Sequence, residues 1–272
     1  MRVPYPSPAV LSSIAGAARL ADPVAVTATG KKTLDRAISR AGLCSRAQAQ
    51  QAIRSGRVAV NGRTVRDPET WVDAVRDKVL VDGAPLRARA KEVWLLHKPT
   101  GYVTTAADER GRDTVYALLP EGHGWLGPVG RLDQDSSGLL LFTNDSDLAH
   151  AITDPKTKLA KVYEVRCKGR MRTESVQALR EGVSLHDGPT LPARVDVLDT
   201  DERSTLLRIE IIEGRNRQIR RMVQAVGSRV HTLHRVRIGP LELGDVPEGG
   251  CRRLDAAEVL ALRGAVRRPS RS

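Results

Sequence analysis

Aromatic residues are scarce in this chain: one Phe, three Trp and four Tyr among 272 residues. That scarcity excludes a long platform on which successive bases of a single strand could stack. Cysteine is also rare. Cys44, Cys167 and Cys251 lie far apart, an odd and scattered set that supplies neither a disulfide framework nor a zinc ligand cluster. A reducing compartment such as the cytoplasm fits this usage best. No apolar run approaches the roughly 18 residues of a membrane span, so no membrane partner is expected. Residues 9–21 are small and mildly apolar. However, Pro4, Pro6 and Pro8 precede them and only Arg2 supplies positive charge, unlike a signal peptide. A low-acid, Ala- and Ser-containing start also has the composition of an organelle transit peptide. A disordered extension is the most economical expectation for residues 1–30.

Cofactor signatures are missing as well. Gly127, Gly130 and Gly138 lack the Gly-Lys-Ser/Thr ending of a phosphate loop. His231 and His234 have no third ligand at matching spacing. The carboxylates at Asp133, Asp135, Asp145 and Asp147 make a poor magnesium site, because such sites lean on substrate phosphates. No cofactor and no metal are expected.

Positive charge is what the chain has in excess. It carries 44 Lys and Arg against 32 Asp and Glu, a formal net charge of +12, and most of the cations are Arg. The planar guanidinium suits forked contacts to phosphate, and a balance of this kind points to nucleic acid. The length allows one large domain and a small one.

Residues 31–82 read as a compact basic module with 11 Lys and Arg and 6 Asp and Glu. Leu34, Ala37, Ile38 and Ala41 recur at helical spacing, and Gly42 ends that helix. Ser45 with Gln48 three residues later is a capping box opening a second helix, which Gly56 stops. Val58 to Val60 alternates like a strand, Asn61-Gly62 signals a tight hairpin, and Arg63-Thr64-Val65 starts the return. Lys78 to Val81 closes the module. Residues 83–92 read as a polar linker. From Val93 onward, strand-like runs at 138–143, 160–167, 193–198 and 205–212 mix with helical stretches at 173–180 and 216–226. They lack a regular βαβ rhythm, so an α+β fold on a mixed, mainly antiparallel sheet is expected. Residues 263–272 read as a mobile basic tail.

Three boxes in this second part carry chemistry. In the first, Asp133 sits in a Gly-flanked polar loop immediately before an apolar run that must be buried, so the carboxylate is held tightly. Asp135, two residues on, shares its face if the segment is extended, and is expected to serve a turn or cap. Arg131 is either a structural ion-pair partner or a contact to the ligand. In the second box, Lys161-Val162-Tyr163-Glu164-Val165, alternation puts Lys161, Tyr163 and Val165 on one strand face. The third box, 213–222, turns at Gly214-Arg215-Asn216 into a helix. Arg217, Arg220 and Arg221 are expected to share one face of it, with Ile219, Met222, Val223 and Val226 on the apolar face. Seven Arg and one acid fall between Glu213 and Arg237.

The segment from Ser45 to Val65 resembles the S4 RNA-binding domain, and the Gly-Arg-Leu-Asp, Lys-x-Tyr and Gln-Ile-Arg boxes resemble, in order, the motifs of the small-ribosomal-subunit type of pseudouridine synthases. His97-Lys98-Pro99-Thr100-Gly101 matches that family's strand end, with His97 where Asn is common. The resemblance implies an S4-like domain over 31–82 and a catalytic domain over 93–262. It implies isomerisation of uridine in ribosomal RNA, with Asp133 as the catalytic residue. Tyr163 would lie against the target base, and a basic residue of the third box would pair with Asp133; Arg220 is the choice and Arg217 the runner-up. Arg131 would enter the RNA where the base leaves. Arg40, Arg46, Arg54, Arg57, Arg217 and Arg221 would contact RNA. The implied partner is small- or large-subunit ribosomal RNA, or a pre-ribosomal particle.

Two other readings compete. A ribosome-assembly protein would need the S4-like module but not the three boxes together. A DNA-binding regulator would need a symmetric dimer and a groove-reading helix; no dimerisation element is recognisable, and a monomer is expected.

Overall fold

The computed structural model describes residues 30–267 except 74, 75, 107, 109 and 122. The expected N-terminal extension, apart from Gly30, lies outside the described residues. The chain divides into two compact units. The first comprises residues up to 93 with 120–127 and 142–146, and the second comprises 94–119, 128–141 and the residues from 147 onward.

In the first unit, strand β1 (Lys31–Thr33) leads into helices α1 (Leu34–Arg40) and α2 (Arg46–Arg54). The capping box forms as the sequence indicates. Ser45 accepts from the Gln48 backbone N–H, and the Gln48 side chain accepts from the Ser45 N–H. Strands β2 (Val58–Val60), β3 (Arg63–Val65), β4 (Trp71–Asp73), β5 (Val79–Val81) and β6 (Ala84–Pro85) follow. Asn61 and Gly62 both take positive φ, 51° and 80°, the geometry of the expected hairpin turn. Leu34, Ile38, Ile53, Val58, Val72, Val79 and Val81 make one buried cluster.

Residues 83–92, expected as a linker, are tied into this unit. Arg89 N–H donates to Ala41 O at 2.9 Å. The Asn144 amide donates to Ala90 O at 2.8 Å and accepts from the Glu92 N–H at 2.9 Å.

The large sheet is built from β7 (Val93–Lys98), β8 (Gly127–Val129), β9 (Ser137–Thr143), β10 (Lys161–Lys168), β13 (Arg194–Thr200), β14 (Ser204–Ile211), β15 (Val230–Ile238), β16 (Leu241–Glu242) and β17 (Cys251–Arg253). A small hairpin, β11 (Ser184–Leu185) and β12 (Gly188–Pro189), stands apart from it. The main path runs β13-β14-β10-β15-β9-β7-β17. Strand β14 pairs antiparallel with β13 and β10, β10 with β15, and β7 with β17, whereas β9 and β15 run parallel. The fold is therefore α+β on a mixed, mostly antiparallel sheet. Helices α3 (Ser146–Thr153), α4 (Thr173–Glu181), α5 (Gln218–Ala225) and α6 (Ala256–Arg267) complete it. Helix α6 includes 263–267, the first half of the expected tail; the remainder lies outside the described residues.

Leu139, Leu140, Leu141 and Phe142 on β9 are fully buried. A strand covered on both faces reads as a continuous apolar run, which anchors the polar loop just before it. Gly138 makes the approach to β15 possible. Its φ is +105°, and a Cβ there would fall 2.3 Å from Arg235 O.

Candidate active site

The loop from Arg131 to Ser136 is pinned from below. Lys98, at the end of β7, is fully buried, and its ammonium donates to Pro99 O at 2.9 Å, Asp133 O at 3.1 Å and Ser136 O at 2.7 Å. Burial pushes its pKa down to about 8, although Asp133 and Asp135 pull it back up. Gly101 N–H donates to Gln134 O at 2.8 Å, and the Gln134 amide donates to Gly101 O at 3.0 Å. The Thr104 hydroxyl donates to Leu132 O at 2.8 Å. Hydrogen bonds at Leu132, Asp133, Gln134 and Ser136 thus fix the loop, as positioning a side chain for chemistry requires.

Asp133 projects from the loop with its side chain about one-third exposed. Arg217 Nη1 donates to Asp133 Oδ2 at 3.2 Å; Oδ1 carries no hydrogen bond among the described residues. Arg217 also holds Asp135, donating at 3.3 and 3.1 Å. Arg220 reaches Asp135 instead of Asp133. Its Nη2 lies 3.2 Å from Asp135 Oδ1 and donates to Asp135 O at 2.8 Å. The expected pairing of Arg220 with Asp133 is therefore replaced by Arg217, the runner-up. Asp135, expected as a turn or cap, is an ion-pair partner of both arginines. Burial pushes its carboxyl up, but the Arg217 hydrogen bond and the charges of Arg220 and Arg217 outweigh this and hold it below the usual range.

The reason for the exchange is local. The helix starts at Gln218, so Arg217 is its N-cap, in a left-handed conformation with φ 47° and ψ 34°. Its side chain therefore does not take the direction that a helical residue three or four positions before Arg220 and Arg221 would have. Arg221 is turned to the hairpin β11-β12, where it pairs with Asp187 at 2.9 Å. Arg215 donates to Gly188 O on the same hairpin at 2.9 Å.

A cavity of about 580 Å³ opens over the loop. Arg131, Asp133 and Arg217 line it, joined by Thr104, Asp108, Arg110 and Arg112. These last four were not read as site residues. Arg112 and Asp108 are ion-paired at 2.6 Å, and the only advance signal was a charge cluster in an otherwise featureless loop. Tyr163 and Arg220 are not part of this cavity wall. Tyr163 is 9% exposed on β10, facing Arg235 across the β10-β15 pairing. Lys161, two residues before it, is pushed down to about 8 by burial and by the charge of Arg235.

His97 and His234 meet edge to face at 5.2 Å, and Ser137 Oγ lies 2.9 Å from His234 Nδ1. Burial, then His97, lowers the His234 pKa. Burial pushes the thiols of Cys44 and Cys167 up to about 11 and about 12, so neither is a nucleophile at neutral pH. Among the described residues, no cluster of three or more metal-ligating side chains occurs, and no helix is long and apolar enough to cross a membrane.

In the first unit, the predicted arginines meet different fates. Arg46 donates from Nε to Asp35 at 2.7 Å and stays half exposed. Arg57 is bound to Asp82, its Nε at 2.7 Å from Oδ1. Arg54 is exposed, and Arg40 is partly buried. The Asp35 carboxylate is fully buried. Burial pushes its pKa up, but hydrogen bonds from Thr33, Gln50 and Arg46 and the Arg36 N–H outweigh this and hold it at about 2.

The chemistry this geometry offers is that of a held carboxylate with one oxygen free, beside cations, in an open polar cavity. Such a group serves nucleophilic or proton-transfer work on a sugar or base. Comparison with known proteins gives the same direction. The sequence model of the RNA pseudouridylate synthase family matches residues 92–225, and that of the S4 domain matches residues 32–79. A ribosomal large subunit pseudouridine synthase B from Bacillus subtilis is 36% identical, covering 85% of this chain and 95% of its own length. An RNA pseudouridine synthase of Aquifex aeolicus is also 36% identical, over 86% of this chain and 94% of its own. A solved pseudouridylate synthase shares 32% identity and a TM-score of 0.62, covering 85% of this chain and 99% of its own.

Proposed function

The chain belongs to the RNA pseudouridylate synthase family, with an S4 domain ahead of the catalytic part, and from that premise we propose that it isomerises a specific uridine of ribosomal RNA, with Asp133 as the catalytic carboxylate. The reaction breaks the N1–C1′ bond, rotates the base and joins C5 to C1′, while C5 gives up its proton to solvent and N1 takes one up. It is a rearrangement with no net redox change. The base cannot be worked on inside a stack, so it must be flipped out, at a cost of a few kcal/mol.

The observation that carries this reading is the asymmetry of Asp133. One oxygen is held 3.2 Å from Arg217, which fixes the direction of the carboxylate. The other has no hydrogen-bond partner among the described residues, and Asp133 lines the cavity. A carboxylate so placed can attack or stabilise the sugar or base while the two are apart. Tyr163 supplies a ring to lie against the uracil, and Arg131, exposed on the rim, takes the place of the departing base. Arg40, Arg46, Arg54 and Arg57 grip a stem through phosphate contacts, which suits double-helical RNA with its hidden base edges. Arg217 and Arg221 add to the positive field of the third box. The ribosomal substrate is favoured by the names of the relatives and by the S4 domain.

The test uses ribosomal RNA tritiated at uridine C5. Wild type should release tritium and Asp133→Ala should not, while both bind RNA equally. Release by Asp133→Ala at the wild-type rate would remove Asp133 from the chemistry. Release by wild type only from a non-ribosomal RNA would remove the ribosomal assignment.

A further inference from the structure

We propose that Arg235 is the positioning residue of Tyr163, locking the strand that bears the tyrosine to the strand that follows Asp133. The inference rests on the reading above that Tyr163 lies against the target base.

Arg235 stands in β15, between the two strands that carry the first and second boxes. In register it faces Tyr163 of β10 on one side and Gly138 of β9 on the other. Its guanidinium lies over the Tyr163 ring with Cζ 6.0 Å from the centroid, within reach of the attraction between a cation and a ring face. Its Nε donates to Leu139 O at 2.8 Å. One side chain thus ties the ring to the backbone six residues after Asp133. The backbones of β9 and β15 approach closely here because position 138 has no side chain.

The arrangement is a costly one. Arg235 is 4% exposed, and it has no carboxylate partner among the described residues. Its Nη2 is buried without a hydrogen-bond partner. A packed apolar residue would serve stability as well or better than an unpaired buried cation. Nor is Arg235 alone, since its charge acts on two further cations, the buried Lys98 and the half-buried Lys161. A fold that keeps a buried guanidinium under these conditions keeps it for the geometry it imposes. With one ring face under the guanidinium, the opposite face is the one left to meet a base, and the ring plane is set by β15 as well as by its own strand.

The experiment is a double-mutant cycle on tritium release, with kcat and KM separated and folding followed by thermal melting. Wild type, Arg235→Met, Arg235→Lys, Tyr163→Leu and the Arg235→Met/Tyr163→Leu pair are compared. Loss of orientation should lower kcat of Arg235→Met by about tenfold to a hundredfold, with KM and RNA affinity unchanged. Arg235→Lys should recover part of the loss. In the Tyr163→Leu background the same change should cost less than about twofold, because neighbours that act as a unit are not additive. Full kcat in Arg235→Met, or losses that multiply in the pair, would overturn the proposal. If Arg235→Met does not fold, Arg235→Gln, which keeps a donor for Leu139 but no cation, takes its place in the cycle. Undiminished kcat in Tyr163→Leu would show that the assignment of Tyr163 itself had failed, and the role of Arg235 with it.

Discussion

At Asp133, position in the chain and position in space agree. A carboxylate in a polar loop that runs directly into Leu139–Phe142 has little freedom, and that much is written in the local sequence. The identity of its arginine is not. The rule that residues three and four apart share a face applies only inside a helix, and Arg217 is one residue outside it, with φ 47°. The side chain that sequence placed beside Arg220 therefore leaves at a different angle and reaches both carboxylates. This separates two substitutions that would otherwise be equivalent. Arg217→Ala should lower kcat by about a hundredfold, as expected when the charge that orients a catalytic group is lost. Arg220→Ala, which removes contacts to Asp135 and Ser136 but none to Asp133, should cost less than about tenfold by the same measure. Single-turnover tritium release on the two variants tells them apart; equal losses would show that Asp135 matters as much as Asp133. Lys98 was legible as part of a motif, but not as the fastening under the loop, because its three acceptors are backbone carbonyls that no side-chain pattern reveals.

Elements with local signals were readable, and those made by distant pairing were not. The capping box at Ser45 and the Asn61-Gly62 turn each depend on residues within four of one another, and both form as read. Strand β15 was missed although it lies between β10 and β9. Its sequence, rich in His and Arg, lacks the apolar alternation that marks a strand, and its two neighbours on the main sheet path, β10 and β9, are dozens of residues away. Helix α6 was missed for a related reason: its charge suggested a tail, while Leu262, fully buried, docks it. Asp35 is the buried charge that the element scale explains. Placed in the first turn of α1, it joins β1, α1 and α2 through Thr33, Arg46 and Gln50. Its folded pKa of about 2 lies below the ordinary value of 3.8. Its stabilisation is therefore complete above about pH 4 and is lost as pH falls towards 2, an effect on the order of 2 kcal/mol. Melting of the first unit followed from neutral to acid pH should fall through that window, and in Asp35→Asn the fall should be shallower. An unchanged acid profile in the variant would contradict this account.

On the scale of the whole molecule, the net charge of +12 is the property most plainly legible in the sequence, because it needs no fold. It predicts RNA binding that weakens steeply with salt. With about five phosphate contacts, log affinity against log salt should have a slope near −4, and Arg46→Gln or Arg54→Gln should each reduce its magnitude by about one. A slope unaffected by either change would place the grip elsewhere. The structure adds a restriction that the charge count hides. Arg217 and Arg220 are occupied by Asp133 and Asp135, so part of the positive charge around this loop is already spent on carboxylates. The consequence concerns departure. Pseudouridine has the charge of the uridine it came from, so the reaction gives the phosphate grip no reason to loosen. Product must escape against the same attraction that captured substrate. Moderate salt should then speed repeated cycles while leaving a single cycle on bound RNA unchanged, a difference that multiple- and single-turnover tritium release would show.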